Sequence, residues 1–200
     1  MSDHRLQVAV ILGSVRDGRI GPTVANWFVG EAKRRDDMLV DLVDLVDVPI
    51  GSAAPTMSPP PEALAALREL TPRLDAADAF VVVTPEYNRS YPAGLKNVID
   101  WHNVQFHAKP VAFVSYGGIS GGLRAVEHLR AVFAELHAVT TRDTVSFHNV
   151  WEQFDGNGNP TDPRRPAAAA TMLLDQLLWW AWALKDARST SPYRTPSTTR

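Results

Sequence analysis

The chain of 200 residues contains no cysteine. Without thiols the protein can form no disulfide, no thiolate metal site and no cysteine nucleophile. If the chain carries out redox chemistry, it therefore needs a bound cofactor. The histidines show no metal-ligand spacing such as H-E-x-x-H, so we predict no metal site either.

The chain also lacks an excess of charge of either sign. Twenty Lys and Arg residues face 22 Asp and Glu residues, for a formal net charge of −2. The sequence has no long run of like charge, so electrostatics give no reason to expect nucleic acid or an acidic membrane as the partner. We therefore expect a small-molecule partner and no nucleic acid.

Long apolar segments are missing as well. The most apolar late stretch, Met172–Leu184, is interrupted by Asp175 and Gln176 and is shorter than the ~20 residues of a membrane-spanning helix. The first residues, MSDHRLQ, lead into a short apolar run and lack the pattern of a secretory signal. We expect no membrane partner and a cytoplasmic location.

What the sequence does contain is a regular alternation of two patterns. Short apolar runs rich in Val, Leu and Phe alternate with stretches of helical periodicity, which is typical of a parallel sheet with crossover helices. The predicted strands are Leu6–Leu12, Leu39–Val46, Ala79–Thr84, Pro110–Ser115 and Val139–Val145. The predicted helices are Gly21–Arg35, Pro61–Leu74, Ala93–Trp101, Ser120–Leu136 and Pro166–Asp186.

Three irregular stretches rich in Pro, Gly, Ser, Thr or Asn separate or follow these elements, at Gly51–Pro60, at Phe147–Arg165 and after Asp186. The first is too short to divide the chain into two domains. A hydrophobic content of 45% is enough for one well-buried core. We therefore expect a single domain over residues 1–186 and a disordered tail over residues 187–200.

The loop after the first strand has the composition of an anion-binding turn. It reads GSVRDGRIG from Gly13 to Gly21. Its glycines let main-chain N–H groups turn inward, the following helix adds a partial positive charge, and Ser14, Arg16 and Arg19 add donors. The pattern is neither G-x-G-x-x-G nor a P-loop, so a monophosphate ester fits best. The alternative is a surface turn with solvated arginines.

The loop after the third strand is polar and aromatic, reading TPEYNRSYPAGLKN over residues 84–97. Tyr87 could stack on a flat heterocycle, while free main-chain N–H groups of Glu86, Tyr87 and Asn88 could bond its carbonyl and ring nitrogen atoms. This is the set of contacts that an isoalloxazine ring requires. The alternative is a capped turn in which Asn88 bonds its own backbone and Tyr87 covers the edge of the core.

The loop after the fourth strand reads SYGGISGG from Ser115 to Gly122. Its four glycines permit close approach of the backbone to a planar ligand. The segment also matches G-x-S-x-G, the nucleophile elbow of α/β-hydrolases. No HGGG-type segment accompanies it and no histidine is marked as the base, so an esterase using Ser120 is the lesser alternative. We predict Ser120 as a helix N-cap and Asp44, near the end of the second strand, as a solvated residue.

These three motifs, GSVRDGRIG, TPEYNRSYPAGLKNVIDW and SYGGISGG, resemble those of the NADPH-dependent FMN reductase family in order and spacing. The resemblance spans about Leu6 to Leu136. It implies a flavodoxin-like α/β fold, a doubly wound five-stranded parallel sheet of order 2-1-3-4-5 in three layers. It also implies a homodimer or homotetramer whose neighbouring subunit helps to wall the site.

The resemblance also implies FMN as the cofactor and assigns its contacts to all three loops. The phosphate is expected at the first loop, the ring at the second, and the third flanks the ring; the implied residues are Ser14, Arg16, Arg19, Ile20, Gly21, Pro85, Glu86, Tyr87, Asn88, Ser115, Gly117 and Gly118. Many relatives have a serine near position 19. The guanidinium of Arg19 could replace that hydroxyl or point outward.

The implied reaction is carried by the cofactor, with NADPH or NADH as the electron donor and a small acceptor such as a quinone, an azo compound or free flavin. We expect the protein to orient and tune the flavin and to supply no catalytic side chain. The alternatives are a flavodoxin-type carrier or a regulator without turnover and, less favoured, the serine esterase.

Overall fold

The computed structural model describes residues 5–51, 55–56 and 58–194. Five strands are present, at β1 (Leu6–Leu12), β2 (Met38–Asp44), β3 (Ala79–Pro85), β4 (Pro110–Tyr116) and β5 (Val139–Phe147). The helices are α1 (Gly21–Ala32), α2 (Pro61–Ala76), α3 (Ala93–Trp101), α4 (Leu123–Glu135) and α5 (Arg164–Thr190). In these ranges no helix is both long and apolar enough to cross a membrane.

All five strands run parallel in one sheet of order β2-β1-β3-β4-β5, which confirms the predicted topology. Successive side chains of a strand point to opposite faces, so Val8 and Val10 of β1 pack under α1 and α5, whereas Ala9 and Ile11 pack under α2, α3 and α4. The molecule therefore has the predicted three layers. We keep the single-domain organisation of residues 1–186 as a proposal.

The central strands are buried on both faces, and the edge strand β2 is only partly covered. This edge strand ends before the predicted Val46. The carboxylate of Asp44 accepts a hydrogen bond of 3.2 Å from the main-chain N–H of Val46, which turns the chain into a 3₁₀ helix at Leu45–Asp47. A local side-chain bond of this kind competes with the strand.

Helix α4 begins at Leu123 rather than at the predicted Ser120. Its N-cap is Gly122, whose φ of 83° is left-handed, and no side chain caps this end from within the turn. The prediction of Ser120 as the N-cap is therefore wrong. A glycine at this position lets the chain enter the helix through a conformation that other residues rarely adopt.

Helix α5 continues to Thr190, beyond the predicted end at Asp186. Arg188 donates a hydrogen bond to the main-chain oxygen of Ala108, and the Tyr193 hydroxyl lies 2.9 Å from His137 Nδ1. The predicted disordered tail therefore begins too early in the sequence, because residues 187–190 are helical. Residues 195–200 of that predicted tail lie outside the described residues.

The predicted irregular stretch after β5 is held in place by its own contacts. It contains a 3₁₀ helix at Val150–Glu152 and a bridge between Phe154 and Pro160. The Phe154 ring packs against Phe147 with 4.9 Å between ring centroids. This stretch brings residues near the carboxyl end of the sheet, where the candidate site lies.

Candidate functional site

A cleft opens beyond the carboxyl ends of β1, β3 and β4, where the strand order changes direction and α/β sheets bind ligands. We call it the strand-end cleft; its open volume is about 240 Å³. The predicted residues that line it are Ser14, Arg16, Arg19, Ile20, Pro85, Glu86, Tyr87, Gly117 and Gly118. The predicted residues Gly21, Asn88 and Ser115 are not among its lining residues.

The first loop leads into the N-terminus of α1 at the cleft. Gly18 has a φ of 63°, which turns the loop, and Ile20 is the N-cap residue of α1 and lines the cleft. No side chain caps this helix end. Pro22 has no N–H group and the Thr23 N–H donates to the main-chain oxygen of Ile20 at 3.0 Å, so this end offers an anion the N–H groups that precede Pro22 and the partial positive charge of the helix.

The two arginines of this loop have different surroundings. The Arg16 guanidinium lies 5.2 Å from the centroid of the Tyr87 ring, and within the described residues it has no carboxylate partner. Arg19 instead donates to both carboxylate oxygens of Asp44 at 2.6 and 2.7 Å and to the main-chain oxygen of Ser14 at 2.5 Å. The positive charge of Arg16 is therefore the more available of the two.

The Arg19–Asp44 pair ties the first loop to the end of β2. The hydrogen bond to Asp44 raises the pKa of Arg19 above its ordinary value, although burial acts in the opposite direction. The expectation that Asp44 is a solvated strand end is wrong, because its carboxylate is engaged on both oxygens. The sequence did not suggest this pair, since its two members lie on separate elements.

The second loop forms a tight turn. Tyr87 and Ser90 exchange main-chain hydrogen bonds of 2.8 and 3.0 Å, and Asn88 and Arg89 between them have φ values of 48° and 71°, as in a type I′ turn. The Glu86 N–H donates to the main-chain oxygen of Tyr116 at 3.2 Å. The prediction of free N–H groups is therefore wrong for Glu86 and Tyr87, whose N–H groups bond within the protein.

Side chains of the second loop connect it to its neighbours. The Tyr87 and Ser14 hydroxyl oxygens lie 2.9 Å apart, which joins the second loop to the first. The Glu86 carboxylate accepts hydrogen bonds of 3.1 Å from the main-chain N–H and from the guanidinium of Arg124. Burial raises the pKa of Glu86, but hydrogen bonds from Ser120 and Arg124 outweigh it and leave that pKa below its usual value.

The glycines of the third loop have two different roles. Gly117 and Gly118 line the cleft. Gly122, by contrast, serves the packing of the chain itself, because a Cβ atom there would lie 2.8 Å from the main-chain nitrogen of Tyr116. The Ser115 side chain is also internal, since its buried hydroxyl donates to the main-chain oxygen of Gly121 at 2.8 Å.

Other cleft residues were missed by the sequence argument: Asp17, Gly18, Tyr116, Val150 and Trp151. Tyr116 ends β4, so the rule that ligands bind at strand ends could have found it. Its hydroxyl is buried and makes no well-formed hydrogen bond among the described residues, although the Ser14 side chain lies near it; burial raises its pKa well above the ordinary value. Trp151 carried no such signal, because it lies beyond the last strand in an irregular stretch.

The geometry does not favour the hydrolase alternative. Ser120 bonds to Glu86, while His148 Nδ1 bonds to the main-chain oxygen of Ile119 and His128 bonds to the hydroxyl of Ser90. Among the described residues no hydrogen bond joins a histidine to Ser120, so no base is in place for that hydroxyl. In the same part of the chain no group of three potential metal-binding side chains is found.

Comparison with known proteins identifies relatives of this sequence. The sequence model of the NADPH-dependent FMN reductase family matches residues 6–152. An NAD(P)H-dependent FMN reductase of Schizosaccharomyces pombe is 38% identical over 120 residues, which are 58% of this chain and 60% of that protein. A probable NADPH:quinone oxidoreductase of Oryza sativa is 31% identical over 86% of this chain and 88% of its own length. A quinone reductase of Escherichia coli is 36% identical over 68% and 73%.

Solved structures agree on the fold. The flavoenzyme NAD(P)H:(acceptor) oxidoreductase of Paracoccus denitrificans superposes with a TM-score of 0.65 at 24% identity, over 88% of this chain and 97% of that one. The apo form of an NADH:FMN oxidoreductase gives a TM-score of 0.68 at 19% identity, over 98% and 100%. With the family match over most of the sequence and relatives above 30% identity, the chain belongs to the NADPH-dependent FMN reductase family.

Proposed function

We propose that this chain is an NAD(P)H-dependent oxidoreductase that holds FMN in the strand-end cleft and passes electrons to a small acceptor such as a quinone, an azo compound or free flavin. The observation that carries the proposal is the set of unsatisfied groups in one cleft. The start of α1, which has no side-chain cap, and Arg16, which has no carboxylate partner among the described residues, suit a phosphate. The buried Tyr116 hydroxyl, which makes no well-formed hydrogen bond within the described part of the chain, suits a polar ligand atom.

The phosphate of FMN would be held by the first loop. Arg16 would supply a guanidinium, Ser14 a hydroxyl, and the start of α1 its partial positive charge and the main-chain N–H of Ile20. Arg19 has a different task in this proposal. Its bonds to Asp44 and to the Ser14 carbonyl fix the shape of the loop, so it positions the phosphate-binding groups.

The ring of FMN would lie against the second and third loops. Pro85 and Tyr87 contribute flat side chains to the cleft, and the main chain of Gly117 and Gly118 allows close approach of a planar ligand. When bound, FMN would supply the redox chemistry that connects the nicotinamide to the acceptor. For a quinone acceptor, the hydride of NAD(P)H and one proton from solvent give the hydroquinone.

We expect no side chain of the cleft to act as an acid or base in that reaction; Asp17, which also lines the cleft, is exposed to solvent. The Glu86 carboxylate is committed to Ser120 and Arg124, and Tyr116 has a raised pKa, so it stays protonated at neutral pH. The proton is therefore expected from solvent through the open mouth of the cleft. The contribution of the chain is to bind, orient and shield.

The test is an absorbance spectrum of the purified protein after incubation with FMN and desalting, followed by anaerobic addition of NADPH. We expect retained flavin bands that bleach on reduction. Retained bands that do not bleach would indicate a flavin-binding carrier or regulator instead of an enzyme. A protein that retains no flavin would contradict the proposal, and an esterase assay with Ser120→Ala would then test the hydrolase.

We also propose a homodimer or homotetramer in the cytoplasm. Exposed apolar side chains beside the cleft support the assembly, since Ile119 is 85% exposed and Leu123 is 41% exposed, and apolar surface at one place favours association. Light scattering after size-exclusion chromatography should give a multiple of the 22.0 kDa chain mass. A monomer at micromolar concentration would contradict this part of the proposal. Cell fractionation tests the location.

A further inference from the structure

The segment after β5 is fixed to the residues that line the strand-end cleft. At Asn149, whose φ is 45°, the chain turns back over the third loop. The N–H groups of Asn149 and Val150 donate to the main-chain oxygens of Gly118 and Gly117 at 2.9 and 3.0 Å. The 3₁₀ helix at Val150–Glu152 is therefore anchored to the same two glycines that face the cleft.

Trp151 lies on this anchored segment at the rim of the cleft. Its neighbour Val150 is 1% exposed, whereas Trp151 is 71% exposed and still lines the cleft. Its ring atom Cζ3 lies 4.0 Å from the position that a Cβ atom on Gly118 would take. Single exposed apolar residues are common on protein surfaces. One that is fixed to a ligand cleft leaves a large aromatic face ready to be covered by a ligand.

We propose that Trp151 forms one wall of the subsite for the electron acceptor and selects planar aromatic acceptors by stacking. The inference rests on the proposed function, since it assumes that the cleft holds FMN. The phosphate-binding groups belong to the first loop, which is tied to Tyr87. Trp151 instead stands beside Gly117 and Gly118, where main chain and apolar surface meet the cleft.

The chemistry of the indole explains the selectivity. Its electron-rich face attracts flat, electron-poor rings such as quinones, and aromatic stacking adds to the gain from burying apolar area. Stacking alone corresponds to about twofold to tenfold in affinity. An acceptor without a flat face obtains none of this gain. Trp151 should therefore affect acceptors according to their shape.

The experiment compares two acceptors on the FMN-loaded enzyme with NADPH as the donor. Menadione is a planar quinone, whereas ferricyanide is an octahedral anion that cannot stack. We expect Trp151→Ala to raise the KM for menadione about fivefold to tenfold and to leave ferricyanide reduction unchanged within about twofold. Trp151→Phe should recover most of the menadione affinity, because it keeps an aromatic face.

Trp179 provides a matched control, since it is 64% exposed on α5 and does not line the cleft. Trp179→Ala should change the KM for neither acceptor. The assignment of Trp151 is overturned if Trp151→Ala impairs both acceptors equally, releases FMN or lowers the oligomeric mass. If the wild-type enzyme reduces ferricyanide and Trp151→Ala leaves the KM for menadione unchanged, only the stacking role of Trp151 is refuted. Wild-type protein without NADPH-dependent ferricyanide reduction refutes the proposed function and this inference with it.

Discussion

The Arg19–Asp44 pair offers a sharp test of how the first loop is held. The two side chains are 13% and 21% exposed and share two short N–H···O bonds. Charge-assisted hydrogen bonds contribute about 1.5–3 kcal/mol each when shielded from water, and partial exposure reduces that value. We therefore expect a coupling of about 1.5–2 kcal/mol in a double-mutant cycle of Arg19→Ala and Asp44→Ala, measured by urea unfolding.

The same variants show whether Arg19 holds the first loop in shape or binds the phosphate directly. If Arg19 braces the loop, both single variants should weaken FMN binding to a similar extent, by about tenfold, because each loses roughly 1.4 kcal/mol of loop positioning. FMN affinity is measured by the quenching of flavin fluorescence on titration. Asp44→Ala that tightens FMN binding while Arg19→Ala weakens it would refute the brace, because Arg19 would then be shared between Asp44 and the phosphate.

The chain contains a matched control on the same strand. Arg73 donates to both carboxylate oxygens of Asp41 at 2.8 and 2.7 Å, but these side chains are 40% and 44% exposed. An exposed pair of this kind couples by less than about 1 kcal/mol. Substituting Arg73 or Asp41 by alanine should not change the affinity for FMN. Equal couplings for the two pairs would show that burial does not distinguish them and would contradict the reasoning.

Other positions give further expected outcomes. Gly122→Ala should lower the free energy of unfolding by about 2–4 kcal/mol, because its φ is 83° and a Cβ atom would meet the main chain of β4 at 2.8 Å; Gly30→Ala in α1, where a Cβ atom meets nothing within 4 Å, should be neutral or stabilising by up to about 1 kcal/mol in the same urea assay. Arg16→Ala should weaken FMN about tenfold and leave riboflavin, which lacks the phosphate, unchanged; equal weakening in the two titrations would remove Arg16 from the phosphate site. Burial lowers the pKa of His102, so the unfolded chain takes up the proton first as pH falls below about 6.5, and the free energy of unfolding should decrease there by up to about 1 kcal/mol per pH unit. Urea unfolding between pH 7.5 and 5.5 should show a flatter dependence for His102→Gln than for the exposed control His128→Gln, and an unchanged dependence would contradict this.

The central part of the fold was readable from the sequence because its strands are covered on both faces. β1 matches its predicted bounds, and β3 and β4 each extend only one residue further. A continuous apolar run bounded by polar loops is a strong local signal. The ends of elements were less predictable, since single contacts decide them. Asp44 ends β2 through a side-chain bond, and a left-handed glycine sets the start of α4.

The position of the candidate site was also readable, because parallel strands bring their carboxyl ends together. The bonding within the site was not. Arg19 could be assigned to a phosphate from its loop alone, but its partner Asp44 comes from another strand. The same holds for Trp151, whose place at the cleft depends on main-chain bonds from the preceding turn to Gly117 and Gly118. Contacts between distant segments leave no local pattern to read.

Hydrogen bonds join the loops of the cleft into one connected unit. The Ser14 hydroxyl bonds to Tyr87, and the Glu86 carboxylate bonds to Arg124 at the start of α4. The third loop is in turn bonded to the segment that carries Trp151. A connected unit loses less conformational freedom when a ligand binds than separate loops would.

This connectivity divides the residues of the cleft into two groups. Tyr87 and Glu86, which the sequence suggested as flavin contacts, already have protein partners and chiefly set the shape of the cleft. Within the described residues, the Arg16 guanidinium has no carboxylate partner, the Tyr116 hydroxyl makes no well-formed hydrogen bond, and one face of Trp151 is exposed. Because a ligand gains most from groups that have no other partner, these three should contact the ligand directly, whereas the residues that hold the loops together should act through the shape of the cleft.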